Sequence, residues 1–171
     1  MSILSRPSSD YKKSYLQAMR EFQSEGHYIT YNLRRIGEHF DDYIRQLYKQ
    51  EERDSTTPGR VPNTEFWLID NDTFIGRLNL RHHLNDYLLH VAGHIGYEIR
   101  PTQRRRGYGI EILRLGLLEA RAIRLTHVLV TCDEDNIGSK RIIEHNGGIF
   151  ENAVQVENSP KCKLRYWITF E

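Results

Sequence analysis

Cysteine is scarce in this chain. Two residues in 171, Cys132 and Cys162, are too few for a disulfide framework or a four-cysteine zinc site. Each falls in a strand-like segment, which suits reduced, buried thiols. Long apolar runs are missing too. None approaches the ~20 residues of a membrane-spanning helix, and the opening "MSILSRPSSDYKK" lacks the apolar core of a signal peptide. The expectation is a cytoplasmic chain with no membrane partner. Net charge is equally small: 24 Lys+Arg against 23 Asp+Glu leave +1, well short of a nucleic-acid-binding polycation. No repeat, low-complexity tract or long linker appears, and the length suits one domain over residues 1–171 with a sizeable core.

What is present is ordered. Tyr11, Tyr15, Ala18, Met19 and Phe22 recur at helical spacing, as do Phe40, Tyr43, Ile44, Leu47 and Tyr48. "RDSTTPGRVPNT" then interrupts as a loop. "EFWLID" and "TFIGRLNLRH", parted by "DNDT", predict a hairpin. "LNDYLL" reads as a connection into "HVAGHIGYEI". In that strand Val91, Ile95, Tyr97 and Ile99 fall on or near one side, and His94, Glu98 and Arg100 on the other. Pro101 ends it.

From Gly107 to Arg124 the period becomes helical. Ile112, Gly116, Ala120 and Ile123 share one face, and the small Gly116 and Ala120 allow close approach to a sheet; Arg114, Arg121 and Arg124 lie on another face. "THVLVTC" predicts a strand, "NIGSKRIIEHNGG" a short helix ending on glycines, and "KLRYWITF" a final strand. Helices, then a hairpin, then β-loop-α-β-α-β is an α/β plan with a mixed sheet.

At the junction of "HVAGHIGYEI" and the long helix stands "PTQRRRGYG", residues 101 to 109. A strand-to-helix loop presents unpaired backbone N–H groups, and the helix dipole favours an anion there. Gly107 and Gly109 keep side chains away from that anion, and Arg104, Arg105 and Arg106 add forked cationic donors. These features describe a pyrophosphate cradle. A solvated turn is the competing reading of the same residues, since short glycine patterns are common. The loop lacks the Gly-Lys-Ser/Thr end of a Walker loop and the three glycines of a Rossmann turn.

"YEIRPTQRRRGYG" followed by "TCDEDNIGSKRIIEHNGG" resembles the two cofactor-binding segments of the GCN5-related N-acetyltransferase (GNAT) superfamily. Arg104, Gly107 and Gly109 stand at its Gln/Arg-x-x-Gly-x-Gly/Ala positions, and Asn136 at the start of the helix that follows. The likeness covers roughly residues 65 to 170 well. It implies a GNAT-like α/β fold: a mixed, mostly antiparallel central sheet with splayed central strands, flanked by helices. It also implies acetyl-CoA as co-substrate, no metal, and transfer of acetyl to a small amine or a peptide. By the resemblance, backbone amides of Arg104, Arg105, Arg106, Gly107, Tyr108 and Gly109 hold the pyrophosphate. The backbone at Ile99 pairs with pantetheine, Asn136 and Ser139 contact that arm or stabilise the slot, and Lys140 either reaches a phosphate or is a solvated surface lysine.

Transfer to an amine needs a base, because an amine near pKa 10 is mostly protonated at neutral pH. Glu98 is the first candidate, with a structural ion pair to Arg100 or Arg81 as its competing role. Asp133 and Glu134 are alternatives, or caps for the helix at Asn136. Many superfamily members place a tyrosine in that helix as general acid; counted from Asn136, this chain has Ile143 there. Either another group serves, with Tyr166 and Tyr108 as candidate donors, each weighed against core or rim packing, or the thiolate leaves without a dedicated acid. His82, His83, His90 and His94 show no metal-ligand spacing; they are expected to be structural, with His82 or His94 the candidates to line the substrate site. The acceptor groove is expected near residues 24 to 37 and 53 to 64. A catalytically silent acyl-CoA sensor and, more distantly, a nucleic-acid module using the arginines stand as alternatives to the enzyme. A homodimer through the edge of "KLRYWITFE" is a further expectation.

Overall fold

Tyr15, Ala18, Met19 and Phe22 form the buried stripe of helix α1 (Lys12–Ser24). Their rings and methyls meet Trp67 and Phe74, with Tyr15 stacked on the Trp67 indole at 4.6 Å between centroids. This is a computed structural model; it describes residues 1–52 and 60–170. Two further helices, α2 (Leu33–Glu38) and α3 (Phe40–Tyr48), complete this layer. Asn32 caps α2 by accepting the Arg35 N–H. Residues 53–59 of the predicted loop "RDSTTPGRVPNT", which are also part of the expected acceptor wall, lie outside the described residues, and its last two residues, Asn63 and Thr64, belong to a strand instead.

One sheet follows. Its strands are β1 (Ile3–Ser5), β2 (Asn63–Asp70), β3 (Thr73–Arg81), β4 (Ile95–Ile99), β5 (His127–Asp133), β6 (Ile149–Gln155) and β7 (Cys162–Thr169). Their spatial order is β1-β2-β3-β4-β5-β7-β6. Every neighbouring pair is antiparallel except β4 and β5. The predicted hairpin is β2–β3, turned by Asn71 and Asp72, both at positive φ.

Helices α5 (Tyr108–Ala122) and α6 (Ile137–His145) cover the other face. Ile112, Leu113, Leu117 and Ile143 pack there with Leu78, Val128, Val130 and Tyr166. A Cβ on Gly116 would lie 2.3 Å from Leu78 Cδ1, so the close approach expected of this helix is real and requires glycine. The sheet is thus a mixed, mostly antiparallel one between two helical layers, the expected GNAT-like α/β plan.

Several expectations are corrected. "LNDYLL" is helix α4 (Asp86–Val91), capped by Asn85, so Val91 is not part of β4. Strands β1 and β6 were not foreseen: the first is three residues long, and the alternation of the second is broken by an irregularity between Phe150 and Asn152. Ile123 lies beyond the end of α5 and is exposed. Strand β7 is not an edge, because β5 and β6 pair with its two sides. A dimer through the "KLRYWITF" edge therefore has no free edge to use, and Glu171 lies outside the described residues. Cys132 is buried as expected, its thiol pushed up to about 11 by burial; Cys162 is only half-buried.

Candidate functional site

Strands β4 and β5 touch and then part. Their pairing consists of Ile95↔Val130 and the adjacent Gly93–Val130 bridge. His94 closes this end: its backbone N–H donates to Leu129 O, and its ring Nδ1 accepts the Leu129 N–H at 3.0 Å. Accepting at Nδ1 requires a neutral ring, and burial lowers its pKa to about 4. His82 instead bonds Thr64 through Nε2. Among the described residues no group of three His, Cys, Asp or Glu is placed to hold a metal.

Beyond Ile95 the strands diverge into a slot of about 640 Å³. Arg81 N–H bonds His94 O and Arg100 N–H bonds Ile75 O, so the even-numbered residues of β4 turn their backbone groups to β3. The odd-numbered Tyr97 and Ile99 turn theirs towards the slot. The Ile99 carbonyl is already occupied by Arg104 Nε at 3.1 Å. That leaves the Ile99 N–H and the Tyr97 backbone facing the opening.

The loop at the mouth is held from behind. Glu21 of α1 accepts from Arg100 Nη2 at 2.6 Å and from the Thr102 hydroxyl at 2.9 Å. Burial raises the carboxyl's pKa, but the hydrogen bonds from Arg100 and Thr102 outweigh it, and the net shift is downward. Arg104 Nη1 reaches Glu25 at 2.9 Å, so this guanidinium, though exposed, braces the loop against α1. Tyr108 donates its hydroxyl to Asp70 at 2.7 Å, far from any reacting role as a proton donor. Arg105 and Arg106 are exposed.

The amides of Arg105 to Gly109 donate to no protein acceptor among the described residues. Gly107 caps α5 at φ +85, and nothing lies within 4 Å of where its Cβ would be. That open space over unpaired amides fits an anion cradle. Gly109 has another reason to be glycine, since a Cβ there would lie 2.4 Å from Ile142 Cδ1. It lets α5 and α6 meet.

Helix α6 supplies the facing wall. Asn136 caps it by accepting the Ser139 N–H at 3.0 Å. The neighbouring carboxylates do not cap. Asp133 pairs with Lys163, Asp135 with Lys161, and Glu134 accepts the Cys162 N–H. Asn136, Ser139 and Ile142 line the slot with Tyr97, Ile99 and Arg104. Ile143 does not: it is fully buried in the core, so position 143 faces the sheet.

A second cleft of about 380 Å³ opens on the α1–α3 side. Tyr28, Tyr31, Asn63, Glu65, Arg77, Asn79 and Arg81 are among its walls, and Tyr97 and Glu98 belong to both clefts. Gln23 Nε2 donates to the carbonyls of Tyr28 and Tyr31 and fixes this segment. Tyr28 is held at φ +52, unusual for a bulky side chain. Its hydroxyl donates to Glu98 Oε1 at 2.6 Å and accepts from Arg77 Nη2. Burial raises the pKa of this phenol, so it remains a donor throughout the neutral range.

Glu98 is thus paired with Arg77, whose Nε lies 2.5 Å from Oε1, and not with Arg100 or Arg81, the partners of the competing structural role. Burial disfavours the Arg77 charge, yet Glu65 and Glu98 outweigh it and hold the guanidinium charged. Glu98 Oε2 has no protein donor among the described residues.

Tyr166 is not brought to either cleft. It is 1 % exposed, in the core beside Phe150. Of the arginine stripe, Arg104 pairs with Glu25, Arg114 pairs with Glu111, and Arg121 is engaged as well. Tyr97 was missed as a site residue. The signal was its place one step before Glu98 on a strand that ends in the loop.

The family model for the "Acetyltransferase (GNAT) domain" matches residues 3–149. Three solved structures illustrate the fold likeness. RimJ of Mycobacterium smegmatis with a CoA-disulfide is 16% identical with a TM-score of 0.69, covering 98% of this chain and 81% of that one. The Salmonella typhimurium acetyltransferase that modifies the N-terminal serine of ribosomal protein L7/L12 is 13% identical, TM-score 0.68, covering 99% and 95%. The microcin C7 self-immunity acetyltransferase MccE, with acetyl-CoA and AMP, is 12% identical, TM-score 0.70, covering 99% and 92%. No curated protein sequence matches significantly.

Proposed function

The chain belongs to the GNAT acetyltransferase family, and on that footing we propose that residues 1–171 act as one domain that moves an acetyl group from acetyl-CoA directly to a primary amine. One observation carries the reading. The slot between β4 and β5 and the polar cleft beneath α1–α3 meet at Tyr97 and Glu98. A donor in one and an acceptor in the other would have their reacting ends side by side.

Acetyl-CoA supplies an activated thioester. The chain's residues fit its parts. Unpaired amides of Arg105 to Gly109 and the open face of Gly107 suit the pyrophosphate. The Ile99 N–H and the Tyr97 backbone suit the amides of pantetheine, as an added strand would. Asn136 and Ser139 stand on the opposite wall.

On the acceptor side, Arg77 and Tyr28 hold one oxygen of Glu98 and leave Oε2 without a protein donor among the described residues, on a residue that lines both clefts. In this reading that oxygen takes a proton from the amine, directly or through one water. Asn63, Asn79 and Gln50 offer neutral hydrogen-bonding groups for the rest of a small polar amine or a peptide end.

Calorimetric titration of acetyl-CoA into the wild type and Gly107→Trp tests the reading. The indole would fill the open space over the amides, while the strain of a side chain at positive φ costs only about 1–2 kcal/mol. The expected result is saturable wild-type binding, lost in a folded Gly107→Trp. A wild type that binds no acetyl-CoA would refute the proposal.

A further inference from the structure

The slot needs a donor for the sulfur that leaves, and Ile143 cannot be one. Among the slot's lining residues only Tyr97 and Ser139 carry a hydroxyl. The two are not independent. Tyr97 reaches across the slot from β4, and its oxygen lies 2.9 Å from Ser139 Oγ on the first turn of α6. The Asn136 side chain fixes that turn by accepting the Ser139 N–H. Tyr97 is also, with Glu98, one of the two residues shared by both clefts. The slot's one phenol is therefore carried by a residue that borders both clefts, and its hydroxyl lies on the slot side, against Ser139.

We propose that the Tyr97 hydroxyl, oriented by accepting a hydrogen bond from Ser139, donates its own hydrogen to the departing coenzyme A sulfur and stabilises it as a thiolate. The inference rests on the acetyl-transfer reading above. In the step, the amine nitrogen bonds to the acetyl carbon, the C–S bond breaks, and its electron pair goes to sulfur. The amine proton passes to Glu98 or water. Tyr97 keeps its own proton and contributes a charge-assisted hydrogen bond, of the kind that is strong in a site screened from water.

This assignment suits the phenol's surroundings. Burial raises its pKa, against a smaller opposing effect of the Ser139 hydrogen bond. Full proton transfer to a thiolate, whose parent thiol is more acidic than this phenol, is then unfavourable, whereas donation without transfer is not. The donor is present at every pH at which the enzyme would work. Tyr97 would be a catalytic residue in the strict sense, and Ser139 a positioning residue that acts through it.

The test needs no acceptor. Coenzyme A is bound to the protein and its thiolate absorbance is followed against pH, with desulfo-coenzyme A as the blank. In the wild type the acid dissociation constant of the bound thiol is expected to rise about tenfold over free coenzyme A, the size of effect one well-placed charge-assisted bond gives. Tyr97→Phe should bind coenzyme A and return that constant to within about twofold of the free thiol. Ser139→Ala should keep part of the rise. A wild-type thiol that titrates as it does in free solution overturns the proposal, as does a rise that survives Tyr97→Phe. Loss in Ser139→Ala with retention in Tyr97→Phe overturns it too, by making Ser139 the donor. Failure of coenzyme A to bind the wild type at all refutes the underlying acetyl-transfer reading, a separate outcome.

Discussion

Arg100 and Glu21 meet across 79 residues of sequence, Nη2 to Oε1 at 2.6 Å, and tie the end of β4 to helix α1. Arg100 is 5 % exposed, so its charge has little water to fall back on. The same carboxylate takes the Thr102 hydroxyl, and the anion loop is anchored at its first turn. Glu21→Ala strands a buried guanidinium and is expected to cost about 3 kcal/mol in chemical denaturation. Glu25→Ala, which frees the exposed Arg104, should cost less than about 1 kcal/mol. Equal losses would show that burial does not set the difference.

His94 makes the point where β4 and β5 join sensitive to acid. The folded chain holds the ring neutral, with a pKa near 4 against 6.5 for an unperturbed histidine. The unfolded chain therefore binds the proton first as pH falls. Stability from this group is intact above about pH 6.5 and is lost progressively down to pH 4, by on the order of 2 kcal/mol. The cations around it, Arg81 with His127 and His83, act in the same direction. His94→Asn retains an acceptor for the Leu129 N–H without the titration. Its melting temperature should be flatter than that of the wild type between pH 6.5 and 4. Parallel curves would assign the acid sensitivity elsewhere.

Gly116 and Leu78 define how closely α5 lies on the sheet. A methyl at 116 would overlap Leu78 Cδ1, itself fully buried. Gly116→Ala gains helix propensity of about 1 kcal/mol, but overpacking costs about 1–3 kcal/mol, so a net loss is expected. Leu78→Ala opens a cavity of its own. The double variant should be more stable than the sum of the two losses predicts, because each substitution relieves the other. Additive losses in denaturant melts would mean that the helix shifts freely.

The arginine-glycine loop and the helix that starts at Asn136 were legible as local structure because local sequence determines them: a strand end, a glycine turn and a capped helix are each set by neighbours in the chain. Pairings that depend on register were not. Arg77 lies opposite Glu98 across β3 and β4, whereas Arg100 is drawn to α1 and Arg81 stands four residues away. Nothing in "EIR" announces that choice. Strand β6 escaped notice for a related reason. Nearly all of it is exposed, so burial imposes no alternation on its residues. Tyr166 was a candidate donor by residue type alone, and the structure turns it to the core, the packing role it was weighed against.

Glu98 and Tyr28 carry the last prediction, once an amine panel monitored by thiol release has identified an acceptor. Glu98→Gln keeps the shape and loses the base, so kcat should fall about 100-fold or more. Tyr28→Phe leaves the carboxylate but removes the hydroxyl that fixes Oε1 at 2.6 Å. Because burial keeps that phenol protonated, its loss removes a donor that orients the carboxylate and is expected to lower kcat about tenfold. Glu98→Gln within threefold of wild type would remove Glu98 from the chemistry and leave it as the partner of Arg77. Tyr28→Phe at the wild-type rate would show that Arg77 alone is enough to orient the carboxylate.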